Sequence, residues 1–304
     1  MFKKWLELEI HKISKLSQQY VDKLNDTDEI YKVFEGFSTG FKELDSITKK
    51  LQPSNLILVG GVVGMGKTGF ALSLIRNLIN QNHSVGFFSL QSSAQMLLLR
   101  MISQETGINV EKLRLEMVSD DEKEQIENVT NELKEKPLAI FDYPFLTVSD
   151  IEDQLDNLIQ FGSDYCNGII VIDSLELIAY NDKDKVGKIL NKKELAYITY
   201  QLKKIAKKLN ITIIATVNLD GKNLRRYYKR LYLTDLREYA PIDKYADLIL
   251  FLFRPEYYKI EEWDDEEWTS AKNQAEISIA KNNNGGLGST RVNFDIKTIL
   301  FKDL

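Results

Sequence analysis

The stretch Gly61-Val62-Val63-Gly64-Met65-Gly66-Lys67-Thr68 satisfies the spacing G-x-x-x-x-G-K-[ST], and no other feature of the chain constrains its fold as tightly. Such a loop has meaning where a buried strand enters it and a helix leaves it. Both contexts are present, with the apolar run NLILV before it and the helix-compatible GFALSLIRNLIN after it. Glycines at positions 61, 64 and 66 let the backbone wrap a phosphate chain with its N–H groups, and a helix N-terminus adds a dipole that favours anions. On this spacing Lys67 reaches the β- and γ-phosphates of a nucleotide, and the Thr68 hydroxyl ligates magnesium. A second metal-side group should be an acid that closes a buried strand. Asp173, at the end of GIIVID, has that form. It could equally be a helix N-cap or turn aspartate, but the apolar strand ahead of it favours magnesium.

A chain of 304 residues that is 43% hydrophobic and 28% charged can bury a sizeable core, and its length suits one main α/β domain with an appendage. Its formal charge of -5 gives no global attraction for nucleic acid, so any such partner must meet a local basic surface. One cysteine, Cys166, excludes an internal disulfide, and His11 and His83 alone make no zinc set. A reducing cytoplasm fits. The start, MFKKWLELEIHK, breaks its apolar residues with charges and so lacks a signal-peptide core, while ADLILFLF is far short of a membrane span. The expectation is a soluble protein with no membrane partner.

Phe2, Leu6, Ile10, Ile13, Leu16, Tyr20 and Leu24 recur at three- and four-residue steps, one stripe of an amphipathic helix. Either the chain's own core or a neighbouring subunit would cover it. Residues 1–36 thus read as helix and linker, and 37–304 as the main domain. From Asn55 onward the β-rich runs NLILVG, VGFFSL, PLAIFDY, GIIVID, ITIIATVN and ADLILFLF alternate with helical segments, the pattern of βαβ crossovers and a largely parallel sheet. In KKELAYITYQLKKIAKKLN, Leu195, Ile198, Leu202, Ile205 and Leu209 share one face. AEISIAKN and TRVNFDI flank GGLG and predict an antiparallel hairpin on the sheet edge. The acidic stretch at 261–268 reads as a solvated loop whose two tryptophans could dock a partner.

The order of these motifs resembles the RecA-like motor domain of DnaB-type replicative DNA helicases. The resemblance runs from about Phe37 to Phe294 through GFSTGFKELDSITKKLQPSNLILVGG, FFSLQSSAQMLLLRM, IIVIDSLELI, DLREYAPIDKYADLILFLFRPEYY and AEISIAKNNNGG. DLRE followed by an AD-initiated strand is a narrower signature than a phosphate loop alone. The family implies an α/β fold of the RecA-like P-loop NTPase type, with ATP and Mg2+ as cofactors, in a ring that is hexameric in that family. ATP there lies between neighbours, and single-stranded DNA threads the pore. The expected nucleotide contacts are then Gly61, Gly64, Gly66, Lys67 and Thr68, with Thr68 and Asp173 on the metal.

Three positions depart from the family around the γ-phosphate. The catalytic glutamate of the family corresponds to Gln91, which can hold a water but cannot take its proton; loss of general-base work costs roughly 10²- to 10⁴-fold. Its lysine and arginine on the late strand, which reach a neighbour's ATP, read Lys281-Asn282-Asn283 here. The lysine is kept and the arginine, worth on the order of 10³- to 10⁵-fold in related chemistry, is lost. Its sensor glutamine corresponds to the shorter Asn218. Together these predict a chain that binds Mg-ATP and hydrolyses it slowly as a homo-oligomer, unless a catalytically complete paralogue joins it; the competing view is tolerated substitution in a working motor.

For DNA, the resemblance points to Arg237 and Glu238 of DLRE, with Ala240 where the family has glycine. Independently, KNLRRYYKR offers Arg225, Arg226, Lys229 and Arg230 beside two tyrosines; cations meet phosphates and tyrosines stack on bases, although a solvated loop has the same composition. Lys183, Lys185 and Lys188 form a weaker cluster. The residues before GFSTGF are too few for the family's helical N-terminal domain. A DNA helicase motor and an ATP-binding accessory or regulatory subunit of a replication complex are therefore the two expectations. A RecA-like recombinase or signalling ATPase has no motif of its own here.

Overall fold

A computed structural model describes residues 36–160, 168–180, 189–219, 229–265 and 268–304. The stripe at 2–24, the lysines at 183, 185 and 188, and Arg225 and Arg226 lie outside the described residues.

The loop motif sits where its flanks require. Strand β1 (Leu56–Gly61) enters it and helix α2 (Lys67–Asn80) leaves it, after a short α1 (Lys42–Thr48). The next elements are β2 (Val85–Ser89), α3 (Ala94–Thr106), α4 (Val110–Arg114), α5 (Asp120–Lys134), β3 (Leu138–Asp142), α6 (Val148–Gln160) and β4 (Ile169–Asp173). They are followed by α7 (Lys192–Leu209), β5 (Thr212–Asn218), α8 (Leu233–Tyr239), β6 (Leu248–Phe253), β7 (Gln274–Asn282), β8 (Gly288–Asp295) and β9 (Leu300–Lys302). The fold is α/β with a nine-stranded sheet in the order β3-β2-β4-β5-β1-β6-β7-β8-β9. Strands β1 to β6 are parallel and β6 to β9 antiparallel. The expected hairpin is thus the first part of a three-stranded extension, because β9 adds Leu300–Lys302 beside β8.

Both faces of the parallel sheet are covered, which is why its strands read as unbroken apolar runs. Side chains alternate between faces along a strand. Accordingly Ile57, Val59, Phe87 and Val171 join Phe70, Leu74 and Ile75 of α2 in one core. Leu56, Leu58, Phe88 and Ile172 join Leu195, Ile198, Leu202 and Ile205 of α7 in the other. Helix α7 starts at a capping box, in which the Asn191 side chain accepts from the Glu194 N–H and Glu194 accepts from the Asn191 N–H; such caps contribute about 1 kcal/mol.

The C-terminal strands brace α2. The Phe301 N–H donates to the Ser73 hydroxyl at 3.0 Å, and the Phe301 ring packs edge-on against Phe70. The acidic stretch is exposed at Glu261, Glu262, Asp264 and Trp268, as a solvated loop would be, but one of its two tryptophans is buried. Trp263 is 1% exposed against 66% for Trp268, because the Arg291 guanidinium lies over its ring at 4.5 Å and its indole N–H donates to Gln274. Arg230 pairs with Asp264 and Arg291 with Asp265, contacts from sequence-distant residues that composition alone does not reveal. Among the described residues no helix is long and apolar enough to cross a membrane.

Candidate nucleotide-binding site

In an open α/β sheet, ligands bind beyond the carboxyl ends of the strands where the chain's order reverses. Here that place is β1, flanked by the late strands β5 and β6. The loop leaves it with Gly64 at φ +90° and Gly66 at φ +83°, a left-handed region that costs a residue bearing a Cβ about 1–3 kcal/mol. A Cβ on Gly64 would also stand 2.4 Å from the Tyr257 ring. Met65, between them, is fully buried and pins the loop to the core.

The Lys67 ammonium turns under the loop and donates to the carbonyls of Gly61 (2.9 Å) and Val62 (2.8 Å). Burial pulls its pKa down to about 8, opposed by the carboxylates of Glu176 and Asp173. The Thr68 hydroxyl donates to Asp173 Oδ2 at 2.6 Å, and Thr216 donates to the other oxygen at 2.5 Å. The short 3₁₀ turn after β4, Leu175–Leu177, has Ser174 at its N-cap position, so Asp173 is not a cap. Thr68 and Asp173 are adjacent hard oxygen donors. They fit magnesium, which takes one or two protein oxygens and keeps water and phosphate oxygens as its other ligands.

Gly64, Gly66, Lys67, Thr68, Asp173, Gln91 and Asn218 line one cleft of about 420 Å³, with Gly61 backing it through its carbonyl. Residues scattered from 61 to 218 therefore converge. Arg100, Gln104 and Arg254 also line the cleft, with no role assigned by motif or spacing. Arg254 follows β6, donates to the Gly64 carbonyl at 2.8 Å and lies 4.0 Å over the Phe294 ring, and its buried Nε has no partner among the described residues. Glu176, inside the stretch IIVIDSLELI, likewise has no role assigned by motif or spacing; it accepts from the Asn218 side-chain amide and, at 3.3 Å, from the Asn218 N–H. A signal for both exists in the sequence, since Glu176 and Arg254 are charges just beyond the ends of buried strands, where the cleft opens.

Lys281 lies elsewhere. It pairs in register with Ile249, and Ile249 with Leu58, so it stands level with the first half of β1, about 10 Å short of Gly61 along the strand direction. Its ammonium points farther from the cleft, donating to the carbonyls of Asp243 (2.8 Å) and Ala246 (2.7 Å). Asn283, in the place of the family's arginine, bonds to Asp247 through its N–H and side chain.

Among the proposed DNA contacts, Arg237 is over half exposed and pairs with Asp243 at 2.8 Å, while Glu238 is exposed and its carbonyl accepts from Lys192. Ala240 is fully buried. Lys229 is half-buried. Arg230 stands against its sequence reading. It bonds to Glu276 and Asp264 and stacks on Phe253 and Trp263, so its guanidinium is spent inside the C-terminal sheet rather than offered to phosphate.

A profile of the DnaB-like helicase C terminal domain matches residues 36–303. The chain belongs to that family. It is 33% identical over 272 residues to a probable replicative DNA helicase of Trieres chinensis, covering 89% of this chain and 58% of the relative. It is 34% identical over 260 residues to the replicative DNA helicase DnaB of Geobacillus stearothermophilus, covering 85% and 54%. The DnaB-like chain thus spans little more than half the length of these curated relatives. Among solved structures it resembles the ATPase domain of G40P, with a TM-score of 0.82 at 26% identity over 95% of this chain and 98% of that one. A DnaB-like replicative helicase, solved in a study of its interactions with primase, gives 0.81 at 26% identity over 97% and 67%.

Proposed function

We propose that this chain is the ATP-driven motor of a DnaB-type replicative DNA helicase, acting on single-stranded DNA as part of a ring. The observation that carries the reading is the single cleft in which the phosphate loop, the Thr68–Asp173 pair, Gln91 and Asn218 meet. In this reading the loop's N–H groups and Lys67 hold the triphosphate, while Gln91 and Asn218 orient the attacking water through amide hydrogen bonds. Thr68 and Asp173 would hold magnesium, which when bound neutralises charge on the phosphates. Arg237, Glu238 and Lys229 are the proposed DNA contacts among the described residues, Arg225 and Arg226 those beyond them. Lys281, remote from its own cleft, is assigned to the ATP of a neighbouring subunit.

The test is steady-state ATP hydrolysis by the purified chain with and without single-stranded DNA, with Lys67→Ala as the blank. Turnover above the blank that rises with DNA is expected. ATP binding without turnover in either condition would overturn the motor reading.

A further inference from the structure

The loss of an acid at position 91 leaves the cleft without an obvious proton acceptor. Gln91 cannot take a proton. Asp173 is the one acid among the described residues that line the cleft, and both its oxygens are engaged, by Thr68 and Thr216, in the position proposed for the metal. The sheet order bears on where a replacement could come from. Strand β4 lies between β2 and β5, so whatever follows β4 emerges between Gln91, just beyond β2, and Asn218, the last residue of β5. The Leu90 N–H donating to the Asp173 carbonyl at 2.9 Å holds the ends of β2 and β4 together. Glu176 is the carboxylate in that gap. Its Oε1 accepts from the Ser174 hydroxyl at 2.9 Å and from the Asn218 amide, whereas among the described residues Oε2 accepts only a long bond, 3.3 Å, from the Asn218 N–H. One oxygen is therefore anchored, and the other keeps lone-pair capacity.

We propose that Glu176 is the catalytic base of this chain, supplying from the turn after β4, the strand next to β2, the carboxylate that position 91 lacks. The inference rests on the ATPase reading above. The water oxygen bonds to the γ-phosphorus as the bond from that phosphorus to the β–γ bridging oxygen breaks. The electron pair leaves on ADP, the proton shed by the water passes to Glu176, and the carboxyl group later returns it to phosphate or solvent. The products are ADP and inorganic phosphate. Glu176 does not itself line the cleft; Asn218, which does, has its amide N–H₂ on the carboxylate and ties the base to the cleft wall.

Moving the carboxylate back tests this. Glu176→Gln should lower kcat by roughly 10²- to 10⁴-fold while leaving the KM for ATP and the melting temperature close to wild type. Adding Gln91→Glu to that variant should restore turnover by about tenfold or more. Two outcomes overturn the proposal: a Glu176→Gln variant that turns over like wild type, or one that loses turnover and is not rescued from position 91, which would mark Glu176 as a support for Asn218 only. Failure of the ATPase reading itself is separable, because the wild-type chain would then match Lys67→Ala.

Discussion

Lys67 has an ammonium withdrawn from water and fastened to two carbonyls, and in the free protein it gives up its proton near pH 8 instead of near 10.5. A bound triphosphate would surround it with negative charge and raise that pKa again. Nucleotide binding therefore takes up a proton above pH 8. Affinity should be fully present below that pH and fall as pH rises through it, by about tenfold per unit until the pKa of the bound form is passed. Titration with a fluorescent ATP analogue from about pH 7 to about pH 9.5 measures this, and Lys67→Arg, whose guanidinium does not titrate, should respond flatly. A wild-type affinity independent of pH would remove Lys67 from the phosphates. The motif makes Lys67 and Thr68 legible from residue order alone, since spacing and flanking elements leave them little freedom. Arg230 shows the limit of such reading. A cation among cations and tyrosines looks like a nucleic-acid contact, and only the fold brings in Glu276, Asp264 and Phe253, distant in sequence, to absorb its charge.

The C-terminal antiparallel strands work as a brace for the phosphate-binding helix, and the loop between β6 and β7 is closed over them by one indole. Trp263→Ala should cost about 3–5 kcal/mol in chemical denaturation, as the loss of a fully buried aromatic does, whereas Trp268→Ala should stay within about 0.5 kcal/mol. Equal effects would mean that the two tryptophans share one environment. The six parallel strands and the stripe of α7 are readable because burial on both sheet faces, and on one helix face, writes directly into residue order. Helices α3 to α5 are less so. The fifteen-residue α5 has no fully buried residue; its stripe is thin, with Ile126, Val129 and Leu133 packed against Ile102, Ile108 and Leu113 and charges elsewhere. Strand β9, of three residues, is too short to show alternation, and its place comes from pairing with β8 across a turn. Glu176 sits in plain view within IIVIDSLELI, but its bearing on catalysis depends on the order β2-β4-β5, which pairing decides and no local pattern records.

One feature of the sheet governs how copies of the chain could work together. The parallel strands all point at the cleft, and β7 then runs back and leaves Lys281 at the other end. If Lys281 serves a neighbour, Lys281→Ala should leave ATP affinity of the dilute chain unchanged and lower turnover at concentrations where subunits associate. Turnover per subunit that is independent of both the substitution and protein concentration would leave Lys281 with its own backbone carbonyls as its only partners. The reversal also limits symmetry. A contact that joins the lysine end of one copy to the cleft end of the next uses two different patches, so it cannot be the self-complementary interface of a twofold dimer. Each added subunit exposes a fresh, unmatched cleft on one side and an unmatched lysine on the other. Such a series either closes on itself by cyclic rotation or grows without end as a helix, and in either form the assembly inherits a direction from the antiparallel turn after β6.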